Sequence, residues 1–238
     1  MNNAKSYKMQ DWYKQLKKYC FPAEFLPLNA EELEAMKQKD ASNEILHGLQ
    51  KKLTKVMSSF SGYRFVSTDT VSPTDTVRFR EKRGAVSSAK SALKILLESA
   101  KVQQALEADE VTSICVRPFR RMQPAREFRL FIKDGKLAAM SQYWLIRHFR
   151  RLPDRQERYW DAAEKFVRKH IADFPETTIV MDIYFTSAGE IMIVDFNPWG
   201  SPTDPLMFND WERDWNTPSG CVIVPPPHTV SGDINVRF

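Results

Sequence analysis

Thr178-Ile179-Val180-Met181-Asp182-Ile183-Tyr184-Phe185 and Glu190-Ile191-Met192-Ile193-Val194-Asp195-Phe196-Asn197 are two apolar, β-branched runs separated by Thr186-Ser187-Ala188-Gly189. Their spacing predicts two strands folded back on each other around Ala188-Gly189. With a two-residue turn there, Met181 faces Phe196, Ile183 faces Val194 and Phe185 faces Met192, so one face of the hairpin is wholly apolar. On the other face Asp182 sits opposite Asp195, with Asn197 two residues further along the same side. A four-residue loop preserves this pairing and a three-residue loop breaks it.

Cross-strand neighbours have Cβ atoms about 4.5–5.5 Å apart, and like charges at that separation repel. A hard divalent cation relieves the repulsion, because Mg²⁺ takes oxygen ligands from one or two carboxylates together with substrate phosphates. Asn197 adds a neutral carbonyl oxygen. A solvated strand face, or a carboxylate pair held by neighbouring arginines, is the competing explanation.

Working outward, residues 127–133 and 136–143 flank Asp134-Gly135, a strong hairpin signal. A tight turn there pairs Glu127 with Gln142 and Arg129 with Met140, gathering Glu127, Arg129 and Gln142 at one end of one face. The planar fork of Arg129 suits phosphate charge, and Glu127 can orient it or touch metal-bound water; a plain surface ion pair is the alternative. Residues 112–117 read as a further strand ended by Pro118, and 156–171 as a helix with Trp160, Ala163, Val167 and His170 or Ile171 on one stripe.

The first hundred residues read mainly as helices. Trp12, Leu16 and Cys20 share a stripe, Asn29 and Glu32 form a capping-box pattern before 30–39, and Leu46, Leu49, Leu53, Val56 and Met57 mark a second helix. Residues 88–106 read as a third, and 63–81 as short strands around Ser72-Pro73. The class is α+β: an N-terminal helical and small-strand part at 1–110, a C-terminal antiparallel sheet with helices at 111–216, and an irregular tail at 217–238.

Composition excludes several classes. With 42% hydrophobic residues, 12% of the chain aromatic, the sequence can fill a core. No apolar run approaches the roughly 20 residues of a membrane span, and the N-terminus lacks a signal peptide's apolar stretch, so a cytoplasmic protein without a membrane partner is expected. Cys20, Cys115 and Cys221 make neither a zinc spacing nor a disulfide framework, and the four histidines are scattered. The net charge of +5 is concentrated at 78–83 and 147–155 without an RNA-binding or helix-turn-helix motif, which argues against a nucleic-acid partner. There is no Walker A loop and no G-x-G-x-x-G, so a nucleotide would be held by strands and side chains.

Arg126-Glu127-Phe128-Arg129-Leu130-Phe131, Met140-Ser141-Gln142, Val180-Met181-Asp182-Ile183-Tyr184 and Ile193-Val194-Asp195-Phe196-Asn197-Pro198-Trp199-Gly200 resemble the eukaryotic cell-division-cycle family that assembles translation initiation factor two, a divergent branch of the ATP-grasp superfamily. Thr203-Asp204-Pro205-Leu206-Met207-Phe208 and Trp211-Glu212 also fit, as do Ser72-Pro73 and Asp75 in the weaker N-terminal half. The resemblance implies an ATP-grasp fold with ATP clamped between two α+β parts and Mg²⁺ at Asp182, Asp195 and Asn197. It implies Val116, Arg117 and Pro118 beside adenine, Glu127 and Arg129 near the phosphates, and Gln142 among the binding residues. Ser67 stands where relatives carry Lys or Arg, so Arg64, Arg78 or Arg80 is expected to take over that phosphate contact. Tyr143 replaces an arginine after Ser-Gln, and the acidic insertion of the eukaryotic members is missing. Two functions follow from the resemblance: an ATP-grasp ligase joining a carboxylate to an amine on a peptide or protein, or an ATP-dependent assembly factor for a translation-factor complex without ligase chemistry.

Overall fold

A computed structural model describes residues 7–39 and 43–227, and within it the chain divides into two units. The first runs to Met122 and includes Ala172–Glu176 and Met192–Phe196. It opens with α1 (Met9–Leu16), where Trp12 and Leu16 are buried as expected. A short turn at Lys17–Tyr19 ends the helix, so Cys20 reaches the interior from extended backbone rather than from the stripe. After β1 (Glu24–Pro27), α2 (Ala30–Gln38) carries the expected capping box: Asn29 accepts from the Glu32 amide, and the Glu32 side chain accepts from that of Asn29. In α3 (Glu44–Met57) the apolar residues recur every three or four positions, burying Leu46, Leu49, Leu53 and Met57 along one face. Lys52 Nζ, 2.9 Å from Glu32 Oε1, ties α3 to α2.

The stretch 63–81 departs from the strands expected of it. β2 (Arg64–Thr68) forms, but Thr76 then caps a short helix, α4 (Val77–Lys82), followed by β3 (Ala85–Val86). Residues 88–106 are two helices, not one: α5 (Ala89–Glu98) and α6 (Ala100–Glu107). Ser99 breaks them apart, with extended backbone (φ −78°, ψ 121°) that ends α5 and caps α6. Asp75 reinforces the break, accepting from Ser99 Oγ at 2.6 Å and from the Ala100 amide at 2.7 Å. β4 (Ser113–Pro118) completes an antiparallel sheet in the order β1-β4-β2-β3, whose apolar side packs with α2, α3, α5 and α6 around Leu49, Leu53, Leu96 and Ile114.

The second unit begins with β5 (Glu127–Lys133) and β6 (Lys136–Gln142). Asp134 and Gly135 both take positive φ, 50° and 77°, as a two-residue hairpin turn requires. α7 (Gln156–His170) buries Tyr159, Ala163 and Val167, so its stripe runs through Tyr159 and leaves Trp160 half-buried at the edge. The Tyr159 ring stacks on Phe185 at 4.1 Å. β7 (Ile179–Phe185), β8 (Ile191–Asn197) and β9 (Cys221–Val222) complete the order β8-β7-β5-β6-β9. The tail expected to be irregular therefore supplies a short strand, parallel to β6; residues 228–238 lie outside the described region. Phe131, Phe208, Trp199, Trp211 and Trp215 form an aromatic core on the Arg129 side of β5.

The two hairpin registers differ from expectation. Near the turn, Lys133 pairs Lys136 and Ile132 pairs Leu137 as anticipated, but Ala138 is then bulged out, so Phe131 pairs Ala139. Arg129 consequently faces Ser141, and Gln142 faces Phe128 on the opposite side of the sheet from Glu127 and Arg129. The second hairpin closes with three residues: Thr186 donates to Glu190 O at 2.9 Å and accepts from the Gly189 amide at 3.0 Å. Further along β8 the alternation breaks, with Ile191, Ile193 and Phe196 buried.

Candidate functional site

In the second unit the chemistry gathers on β5 and β7. Arg129 lies directly opposite Asp182, on the same face of the sheet. Its Nε donates to Asp182 Oδ1 at 2.8 Å and its Nη2 to Oδ2 at 2.9 Å, a bidentate pair, while Nη1 donates to the Asp204 carbonyl at 2.8 Å. The guanidinium carbon stands 5.3 Å from the Tyr143 ring. Both side chains are nearly enclosed, 8% and 11% exposed. Burial works against the charge on Arg129, but the bonds to Asp182 more than offset it and hold the arginine charged. Such pairs add little net stability over apolar packing, while removing one partner costs about 3–5 kcal/mol, so the pair acts chiefly as a positional lock.

Asn197 joins the pair through its amide, Nδ2 donating to Asp182 Oδ2 at 3.1 Å. Asp182 and Asn197 are therefore brought together as the sequence suggested, although the turn that suggested it has a different length. The break in the alternation of β8 is what keeps Asn197 on that side. This contact commits the amide nitrogen of Asn197 to Asp182, leaving Oδ1 as its oxygen for a cation. The three-residue turn breaks the register that set Asp182 opposite Asp195: what faces Asp182 is Arg129, so its charge is balanced by an arginine, the competing explanation for a carboxylate on this face.

Glu127 is half-buried at the start of β5, opposite Tyr184. Burial pushes its carboxyl up to about 7, a hydrogen bond from Trp144 works against that, and the Asp182 charge adds to the rise. It can thus hold or release a proton near neutrality. Gln142 does not join Glu127 and Arg129, because the Ala138 bulge turns it to the other face. There its fully buried amide spans backbone groups: Nε2 donates to the carbonyls of Trp144 and Arg147, and Oε1 accepts from the Val224 amide. Asp204 and Trp144 contribute contacts that residue type alone did not signal; Asp204 lay in the run matching the family, but the contact uses its backbone carbonyl.

In the first unit, Val116 pairs with Glu24 and with Val66 and its side chain is in the core. Arg117 and Pro118 pair only with β2, beyond the last β1 pair, so that edge of the backbone continues past its strand partner. Arg117 lies over the Phe65 ring at 4.9 Å and its Nη1 donates to the Val194 carbonyl at 3.4 Å. Asp195 accepts from the Phe196 amide at 2.9 Å. Of the three arginines considered for the phosphate contact, Arg64 is committed elsewhere. Its Nε donates to the Met57 carbonyl at 2.9 Å and its two terminal nitrogens donate to Phe60 and Gly62, closing the turn after α3. Arg78 Nη2 donates to Ser91 Oγ at 3.1 Å, and Arg80 is exposed on α4. Ser67 is buried, paired with Cys115. Among the described residues no three His, Cys, Asp or Glu side chains converge as a metal cage; the candidate cation ligands are two carboxylates and an amide.

The D123 family pattern matches residues 29–216. The chain belongs to the D123 family. A translation initiation factor eIF2 assembly protein of Xenopus tropicalis is 32% identical over 106 residues, covering 43% of this chain and 32% of that protein. A cell division cycle protein 123 of Candida glabrata is 33% identical over 105 residues, covering 43% of this chain and 28% of that protein. The matched segments thus span about a third of those relatives' length. The structure of Cdc123 from Schizosaccharomyces pombe superposes with a TM-score of 0.75 at 19% identity, over 92% of this chain and 95% of that one. Its C-terminally truncated form gives 0.78 at 18% identity. This D123 chain therefore has the α+β fold expected, that of Cdc123.

Proposed function

We propose that this D123 protein is an Mg-ATP-dependent assembly factor acting on a protein partner, with the partner drawn from the components of translation initiation factor two. Family membership and the names of its relatives favour assembly over the ligase alternative. The observation that carries nucleotide binding is the locked Arg129–Asp182–Asn197 cluster: a buried charge pair and an aligned amide on adjoining strands, an arrangement that fixes oxygen donors in place. Mg²⁺ prefers oxygen, and the carboxylate of Asp182 and Oδ1 of Asn197 are the donors that suit it there, with Asp195 the further ligand that the resemblance implies. Bound there, the ion would neutralise nucleotide phosphate charge.

The other residues take roles that follow from their chemistry. Arg129 holds Asp182 in one rotamer and keeps net charge near the phosphates balanced. Glu127, able to carry a proton near neutrality, orients bound water or a phosphate oxygen. The backbone of Arg117, past the last β1 pair, is the edge proposed to hydrogen-bond adenine, with Pro118 beside it. Arg78 and Arg80 take the phosphate contact that Ser67 cannot make; Arg64, spent on three carbonyls, does not.

Calorimetric titration tests this reading. Mg-ATP is expected to bind the wild type, and Asp182→Ala to weaken it at least about tenfold, the loss typical of an important ligand contact. A wild type that takes up no Mg-ATP overturns the nucleotide reading. Co-elution of the wild type with purified initiation-factor-two subunits tests the partner; ADP formation that requires an added amine and carboxylate would instead select the ligase reading.

A further inference from the structure

From Trp144 to Leu152 the chain reads Trp-Leu-Ile-Arg-His-Phe-Arg-Arg-Leu, with three arginines, four large apolar residues before the buried Leu152, and no acidic residue. Trp144 and Leu145 are 41% and 42% exposed and Ile146 67%, the largest exposed apolar run in the second unit among the described residues. Arg147, Arg150 and Arg151 are exposed around them.

This loop is built rather than slack. The Gln142 amide donates to the carbonyls of both Trp144 and Arg147, so one buried side chain ties together the two ends of the turn that carries Leu145 and Ile146. His148 Nδ1 lies 2.9 Å from the Val224 carbonyl, Arg147 packs over the Phe149 ring at 5.2 Å, and the Leu152 amide donates to Phe149 O at 2.8 Å. Trp144 is held by its bond to Glu127. Gln142 also accepts from the Val224 amide at 3.2 Å, so the apolar turn is pinned to the segment after β9 as well as to β6. Fixing it in advance lowers the entropy lost when something docks.

We propose that residues 144–151 form a preorganised docking tip for an acidic segment of a protein partner, one whose carboxylates flank apolar side chains. The charge decides the partner's sign: three arginines without a nearby acid in the loop pair with carboxylates through their forks. The apolar residues decide the rest, since Trp and Arg anchors around an aliphatic centre are the usual high-energy contacts of protein interfaces. A protein suits the tip better than a lipid surface because Trp144 is hydrogen-bonded in place and Arg147 is stacked, so neither is free to adjust to headgroups. The proposal rests on the reading that this chain has a protein partner and names the surface it uses.

A random dodecapeptide display library, panned against the whole protein, tests it. The expected consensus places Asp or Glu beside one or more apolar residues. A peptide carrying that consensus should lose at least about tenfold in affinity to Ile146→Glu and to Arg150→Glu/Arg151→Glu, in keeping with hot-spot losses. It should also weaken as salt rises from low to physiological strength. No enrichment, a consensus without acids, or affinity unchanged in both variants overturns the proposal. So does binding of the wild type to phosphatidylserine vesicles that both variants lose while peptide binding does not appear. Mg-ATP titration of the same variants keeps the two readings apart: nucleotide binding retained with peptide binding lost supports the tip, whereas a wild type that binds peptide but no Mg-ATP sinks only the nucleotide reading.

Discussion

At the residue scale the second unit places two carboxyls in opposite circumstances. Asp182 meets a buried arginine fork and an amide; Glu127 meets burial, one indole donor and the repulsion of Asp182. A glutamate whose folded pKa is raised binds more protons folded than unfolded between its ordinary value of 4.5 and about 7. Folding stability must therefore fall as pH rises through that window, and the penalty is complete above it. The shift corresponds to at most roughly 3–4 kcal/mol, less what solvent screens at a half-buried site. Glu127→Gln, neutral at every pH, should gain stability relative to the wild type without nucleotide as pH rises from 4.5 to about 7. Urea unfolding at several pH values measures it, and parallel curves for the two proteins would refute the assignment. Nothing in residue type alone separated these carboxyls: the sequence offered both as candidates, and only the strand pairing shows which one the arginine holds.

At the element scale, what the sequence revealed well were signals that act over a few residues. Asp134-Gly135 fixes its turn through two positive φ values, and Asn29 with Glu32 caps α2, because each depends only on neighbouring backbone. What it hid were breaks that only distant partners pay for. Ala138 bulges where its carbonyl finds the Ser219 amide at 2.8 Å, eighty residues on, and this shift removes Gln142 from the site face. The division of 88–106 is similar: nothing in the periodicity marks Ser99 as a stop, and Asp75, twenty-four residues earlier, supplies the second acceptor. Burial disfavours the Asp75 charge, but the Ser99 hydroxyl and the amides of Lys101 and Ala100 outweigh it and hold its pKa below the usual range. Asp75→Ala should cost about 1–2 kcal/mol, the worth of a helix cap, and Asp75→Asn less, since the amide keeps one acceptor. The wild-type advantage over Asp75→Asn should fade as pH falls through the depressed pKa, because a lowered carboxyl contributes stability only while ionised. Equal stability of wild type and Asp75→Ala in urea at neutral pH would show that the carboxylate caps nothing.

At the scale of the whole molecule, the α+β class, the second hairpin and the family were all legible, since strand periodicity and the short runs around Asp182 and Asn197 survive divergence to 18–19% identity from the solved Cdc123 structures. The role of Arg64 was not, because any of three arginines satisfies a sequence argument for a phosphate contact and only the structure shows Arg64 tied to three carbonyls. Ligand linkage separates these structural and binding roles in one measurement. A ligand at about 100 times its dissociation constant adds about 2.7 kcal/mol to the folded state, and at this chain length 1 kcal/mol moves Tm by roughly 2–4 °C. Mg-ATP should thus raise the wild-type Tm by about 5–10 °C. Asn197→Ala removes the oxygen proposed for the cation and also the amide bond to Asp182, so it should lose most of that rise and lower the Tm without nucleotide by a few degrees. Arg64→Ala frees the carbonyls of Met57, Phe60 and Gly62 and should lower the Tm without nucleotide while leaving the rise undiminished. If Arg64→Ala abolished the rise, the arginine would belong to the phosphate site after all; if Asn197→Ala kept it in full, the cation would have to sit elsewhere.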